Sequence, residues 1–474
     1  MSSVGCRIVL KDGELTGSSL VDLRATMGAV RGSGDATIAI HFHGGLVDQR
    51  AAGQASEALM REYEAAGAVP IFVIWQTGLL ETLRNNWKDV FSKEFFEGIL
   101  ERVLQFLVGK AEQPPGGRSG AVQLPHPAEV RREIAKREQG IEPYGHLEPK
   151  NLDEELSTSD KTQFEKTIQK DPSLAKSESD VLKLADDRQF EPEFRATIRK
   201  QKTAASMGAR SITATIAAGV AIKALMGTLR RFNRGRGHGL YPTAVEEVAK
   251  AIFAADVFGR FAWNSMKKDA KDAFGEGDDR YGGSALLSEV ERLWSDGVHP
   301  RIVLVGHSAG SIFVCEMLMA AAKRKLAADV KFDVVLLAPA CTFALFDSTL
   351  TLAPDRIAAF RCFAMSDEFE QKDGVFGKVY PRSLLYLVSG ALEDNADEPI
   401  LGMQRFHSRQ PPFDDEKFPG IKRVMDDIEA RKNAWIWSVS MVGEGLNCSS
   451  TSHGGFDFEE ATLKSVRHIL QHGA

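Results

Sequence analysis

Residues 301–325, RIVLVGHSAGSIFVCEMLMAAAKRK, hold three local signals in a row. Arg301 to Gly306 is a short aliphatic run of the kind found in strands buried on both faces. The run from Ser311 onward reads as a helix. Between them stands Gly306-His307-Ser308-Ala309-Gly310. A serine at the tip of a tight strand-to-helix turn sits in strained backbone geometry, and glycine two residues to either side lets strand and helix approach without Cβ clashes. The helix that follows aims its N-terminal N–H groups and partial positive charge at that serine. A bare GxSxG motif is weak; the strand before it and the helix after it give it force.

Outward from this turn, short apolar strands alternate with longer helical stretches. The expected strands are Ala36 to His43, Val69 to Gln76, Arg301 to Gly306, Phe332 to Pro339, Ala359 to Ser366 and Ala434 to Val442. Residues 51–66 read as a helix, and a last helix begins near Asp457, with that aspartate as its N-cap. The pattern predicts an α/β fold, a mostly parallel sheet flanked by helices, with a large and mainly helical insertion. The expected division is 1–83 and 285–474 for the two parts of the core and 84–284 for the insertion. Within the insertion, residues 111–205 are charged and poor in large apolar side chains, and are expected to form a mobile or weakly packed helical segment. Four arginines (Arg230, Arg231, Arg234, Arg236) cluster further on; the simpler reading is a solvated helix end, with a headgroup-binding patch as the rival.

Composition narrows the function classes. The 474 residues include 59 Lys plus Arg and 65 Asp plus Glu, a formal net charge of −6. That balance supplies no general field for gripping a phosphate backbone, so nucleic-acid binding is not expected. The five cysteines, Cys6, Cys315, Cys341, Cys362 and Cys448, are scattered and form no CxxC pattern. They suit a reducing compartment, and a cytoplasmic location is the expectation. Metal, nucleotide and redox motifs are absent in workable context, so no cofactor and no metal is expected.

The GHSAG turn, together with the earlier His43-Gly44-Gly45 at a strand end, resembles the α/β-hydrolase superfamily, in particular its lipase and esterase branches. The likeness covers the chain outside the insertion. It implies a nucleophile after the fifth strand, Ser308, and an oxyanion hole built by backbone N–H groups of Ala309 and of Gly44 or Gly45. It also implies the chain order serine, acid, histidine. Of the histidines after Ser308, His407 follows a polar stretch with no strand before it. His468 and His472 lie on the last helix. His453, in the loop TSHGGFDF between a strand and that helix, is the expected base. The expected acid is Asp367, directly after the strand ending in Ser366. Glu368, Glu370 and Asp373 crowd the same loop, and Asp394 and Asp397 become rivals if SLLYLVSG is a strand rather than a helix; Pro381 at its start favours helix.

The resulting expectation is a serine hydrolase of carboxyl esters, perhaps of lipids, in which residues 84–284 act as a cap and the Arg-rich stretch leaves peripheral membrane contact open. Thioesterase, peptidase and acyltransferase chemistry would use the same residues. A binding or regulatory module with a degenerate pocket is the reading from outside enzymology.

Overall fold

A computed structural model describes residues 5–33, 36–44, 49–75, 94–112, 122–147, 156–171, 174, 212–252, 260–277 and 279–474. Eight strands form one sheet: β1 (Cys6–Lys11), β2 (Glu14–Thr16), β3 (Thr37–Phe42), β4 (Ala68–Trp75), β5 (Arg301–His307), β6 (Phe332–Leu337), β7 (Ile357–Met365) and β8 (Trp435–Ser438). Their order across the sheet is β2-β1-β4-β3-β5-β6-β7-β8. Every neighbouring pair is parallel except β1 with β2. Helices cover both faces.

The apolar runs become central strands because both of their faces are sealed. On one face Ala39, Val303, Val305, Val335, Leu337, Phe363 and Met365 pack with Leu59 and Tyr63 of the helix Gln49–Ala65 and with Val466 and Ile469 of the helix Glu460–His472. The opposite face holds Ile38, Ile40, Phe42, Ile302 and Leu304, all fully buried. There Phe42 stacks on Phe313 of the helix Gly310–Lys323 at 4.8 Å between centroids, and Trp75 meets the same ring edge-on. Strand alternation therefore sorts the odd-numbered side chains of β3 and β5 onto the first face.

The six expected strands are present within one to three residues of the expected bounds, apart from the last. Ala434 to Val442 is cut short: β8 ends at Ser438, and Ser440–Met441 turns away to pair with Asn447–Cys448. The hairpin β1–β2 was not expected. Its signal is Asp12-Gly13, a pair whose φ angles of 52° and 79° make the two-residue turn that suits the twist of an antiparallel ribbon.

The chain divides into two compact units: 1–81, 262–373 and 399–474 in one, 82–261 and 374–398 in the other. The second unit thus ends earlier than the expected 284 and takes in a later stretch that sequence order assigned to the core. About half of residues 111–205, the stretch expected to be mobile or weakly packed, lies outside those described. The described part of that range includes two helices, Pro127–Ala135 and Thr158–Gln169, capped by His126 and Ser157 side chains. SLLYLVSG is helical, as Leu384–Leu387 continued by a π-turn over Val388–Leu392. Arg231 does not belong to a solvated helix end. It is buried, bonded to Asp397, Glu246 and Glu247. Among the described residues no helix is long and apolar enough to cross a membrane.

Candidate active site

Ser308 follows β5 with φ at +53°, the left-handed region that costs a non-glycine residue free energy. Hydrogen bonds from two directions hold it there. The Ser308 N–H donates to the Leu337 carbonyl at the end of β6. The Ser308 carbonyl accepts from the N–H of Ser311, the N–H of Ala340 and the Ser311 hydroxyl, the last at 2.6 Å. Both flanking glycines are required by contact. A Cβ on Gly310 would lie 2.0 Å from the Phe42 carbonyl oxygen, and one on Gly306 would lie 2.9 Å from the Val314 side chain. The helix Gly310–Lys323 begins with Ala309 as its N-cap, so the Ala309 N–H is among those a helix start leaves without an intrahelical acceptor.

Gly44 closes on the serine from the end of β3, the strand next to β5. A Cβ there would sit 3.0 Å from the Ser308 Cβ. Its carbonyl is bound 2.6 Å from His43 Nδ1, while His43 Nε2 accepts from the Trp75 N–H, which fixes His43 as the neutral Nδ1–H tautomer. Gly45, the alternative oxyanion donor, lies outside the described residues.

His453 Nε2 is 2.8 Å from Ser308 Oγ. The base opens a short turn, His453–Asp457, between β8 and the last helix. Serine and histidine are both buried, 1% and 2% exposed. Burial, and next the neighbouring charge of His307, push the His453 imidazole down to about 3, against a smaller opposing pull from Asp457. Free imidazole nitrogen beside the hydroxyl is the protonation state a general base needs.

The acid does not fall where the sequence placed it. The chain leaves β7 at Met365 and enters a helical turn at once, so Asp367 is committed to that turn and its carboxylate accepts from Gln371 Nε2, 2.7 Å away. His453 Nδ1 has no hydrogen-bond partner among the described residues. The acid that reaches the base loop from this region is Asp373. Its Oδ2 accepts the His453 backbone N–H at 2.7 Å, and burial raises its pKa against that bond.

Asp457 is not the cap of the last helix. Glu459 caps it, accepting from the N–H groups of Ala461 and Thr462. Asp457 is instead paired through Oδ2 with His307 Nδ1 at 2.7 Å, and His307 Nε2 lies 3.0 Å from the His453 carbonyl. Burial opposes ionisation of Asp457, but His307 outweighs it and holds the carboxylate at about 2. The signal for His307 was the motif itself. As the residue between Gly306 and Ser308 it follows Val303 and Val305 onto the strand face covered by the last helix, where Asp457 arrives.

Two further histidines have packing partners away from Ser308. His407 is half-buried, edge-on against Trp435 and Trp437, with its Nε2 on the Leu401 carbonyl. His41 stacks on Phe72 and bonds the Tyr63 hydroxyl. Trp263 and Met266 are buried. Among the described residues no cluster of His, Cys, Asp or Glu could hold a metal ion, and all five cysteines are free and buried.

No protein-family model, curated protein or solved structure matches the chain.

Proposed function

We propose that this chain is a serine hydrolase of carboxyl esters. The observation that carries the reading is the 2.8 Å approach of His453 Nε2 to Ser308 Oγ at a left-handed turn on a helix N-terminus. Ser308 attacks the ester carbonyl as His453 takes its proton, and the acyl-enzyme is released by water activated through the same ring. The developing oxyanion faces the Ala309 N–H and the backbone at Gly44. Asp457 and Asp373 are the carboxylates nearest in role to the imidazolium that forms; Asp367 has no direct part. Likeness to the α/β-hydrolase superfamily supports the reading through the adjacency of β3 and β5, which places the glycine turn beside the serine. Lipid esters, a cytoplasmic location and membrane contact belong to the same proposal. Ser308 is 1% exposed, so the reading requires a local opening before substrate reaches it.

A second reading, a binding module on the same fold, is favoured by two features: the serine is 1% exposed, and the base has no hydrogen-bond partner on Nδ1 among the described residues. An alkyl fluorophosphonate separates the two. It should label the native chain and spare Ser308→Ala. Equal labelling of both, or labelling of neither, overturns the hydrolase reading.

A further inference from the structure

The His307 side chain touches both ends of the base turn. Its Nε2 faces the carbonyl of His453, where the turn begins, and its Nδ1 faces the carboxylate of Asp457, where it ends. Carbonyl and carboxylate oxygens only accept hydrogen bonds, so a ring that satisfies both must carry a proton on each nitrogen. A neutral His307 would leave a lone pair against one of these oxygens in a buried site, which is costly. We infer that His307 is a buried imidazolium that clamps the turn carrying the base, a positioning residue held on the same strand as the nucleophile.

The groups that face it are few. Asp457 supplies the counter-charge. The His453 ring lies 5.5 Å away, and the Phe456 ring 6.4 Å. From β3 come His41 and His43, both held neutral by burial, His41 at about 4. Asp373 reaches the same turn from the loop after β7, on the His453 N–H. Burial pulls the His307 ring down, but the Asp457 carboxylate outweighs it and the net direction is up. Two consequences follow from a cation fixed there. It ties the base to the nucleophile strand, so that Ser308 and His453 keep their separation. It also makes His453 a weaker base by like-charge repulsion, keeping the ring neutral into acid.

The second consequence rests on the reading of Ser308 and His453 as the reacting pair; the first does not. The test therefore has two arms. With 15N-labelled histidine in the wild-type chain, both His307 ring nitrogens should remain protonated at about pH 7, just above the ordinary histidine pKa of about 6.5. A neutral ring at that pH overturns the clamp. In the second arm, the rate of fluorophosphonate labelling is followed against pH for wild type and His307→Gln. Gln keeps a donor without the charge. The acid limb should rise by about one pH unit or more, with a rate above it reduced by about tenfold. A loss of rate with no movement of the limb means mere packing and overturns the electrostatic role. If wild type is not labelled at all, the hydrolase reading fails while the ring measurement still decides the clamp; it also stands if His307→Gln does not fold.

Discussion

Two buried charge clusters lie in the two units, and they are built on opposite principles. In the second unit Arg231 gives its guanidinium to both oxygens of Asp397, to Glu246 and to Glu247, while Lys250 takes Glu247 as well. Glu246 uses its other oxygen on His238 and on the Tyr380 hydroxyl. Burial would raise the Glu246 pKa, yet His238 and Arg231 hold it far below the carboxylate range. Even Gly390 is shaped by the cluster, since a Cβ there would lie 2.3 Å from Glu246. In the first unit the His–Asp cluster is left open. His453 Nδ1, Asp457 Oδ1 and His41 Nε2 have no partner among the described residues. A cluster whose cation meets three carboxylates fixes a structure. An unsaturated one beside a strained serine holds protonation states that chemistry can use.

The sharpest break in that comparison is Ser308→Ala. Labelling and ester turnover should fall by about 10⁴-fold or more, with the melting temperature nearly unchanged. Arg231→Met should do the reverse. Leaving Glu246, Glu247 and Asp397 buried without their cation should cost about 3–5 kcal/mol in denaturant unfolding, while the folded fraction labels at the wild-type rate. If Arg231→Met is neutral, the Arg231 cluster is not structural in this sense.

Smaller effects sharpen the contrast. Gly44→Ala places a methyl at 3.0 Å from Ser308 Cβ, and the labelling rate should drop by about 10- to 100-fold with little change in stability. The first unit should also be acid-sensitive. His453, His41 and His407 are held down by burial at about 3, 4 and 4. Each stays neutral when folded and takes up a proton when unfolded, so its contribution is complete above about pH 6.5 and is lost as pH falls towards the folded value. The slope is roughly 1.4 kcal/mol per pH unit for each ring, readable as a falling melting temperature between pH 6.5 and 5. His307, raised instead, works the other way, and its contribution is lost as pH rises through its folded pKa. The smallest effect concerns the acids. Asp367→Asn should change turnover by less than about twofold, against about tenfold for Asp373→Asn, whose carboxylate holds the base turn. Equal effects would return Asp367 to the site.

The strands and the serine turn were legible because each is a local matter. Doubly buried runs and a Gly-x-Ser-x-Gly turn leave their mark within a few consecutive residues. His453 was legible by order along the chain. The acids were not. Asp367, Asp373 and Asp457 look alike in sequence, and which of them meets an imidazole depends on where a helical turn begins after β7 and where the last helix is capped. His307 was printed in the motif, but its role needed a partner 150 positions away.

By itself, then, the sequence determined the parallel sheet, the strained turn and the pairing of serine with one histidine, since periodicity and glycine spacing act on neighbouring residues. Only the tertiary structure decided which carboxylates and rings meet and how deeply the serine is buried. Those properties arise from burial and from distances between residues the chain keeps far apart, and no local pattern encodes them.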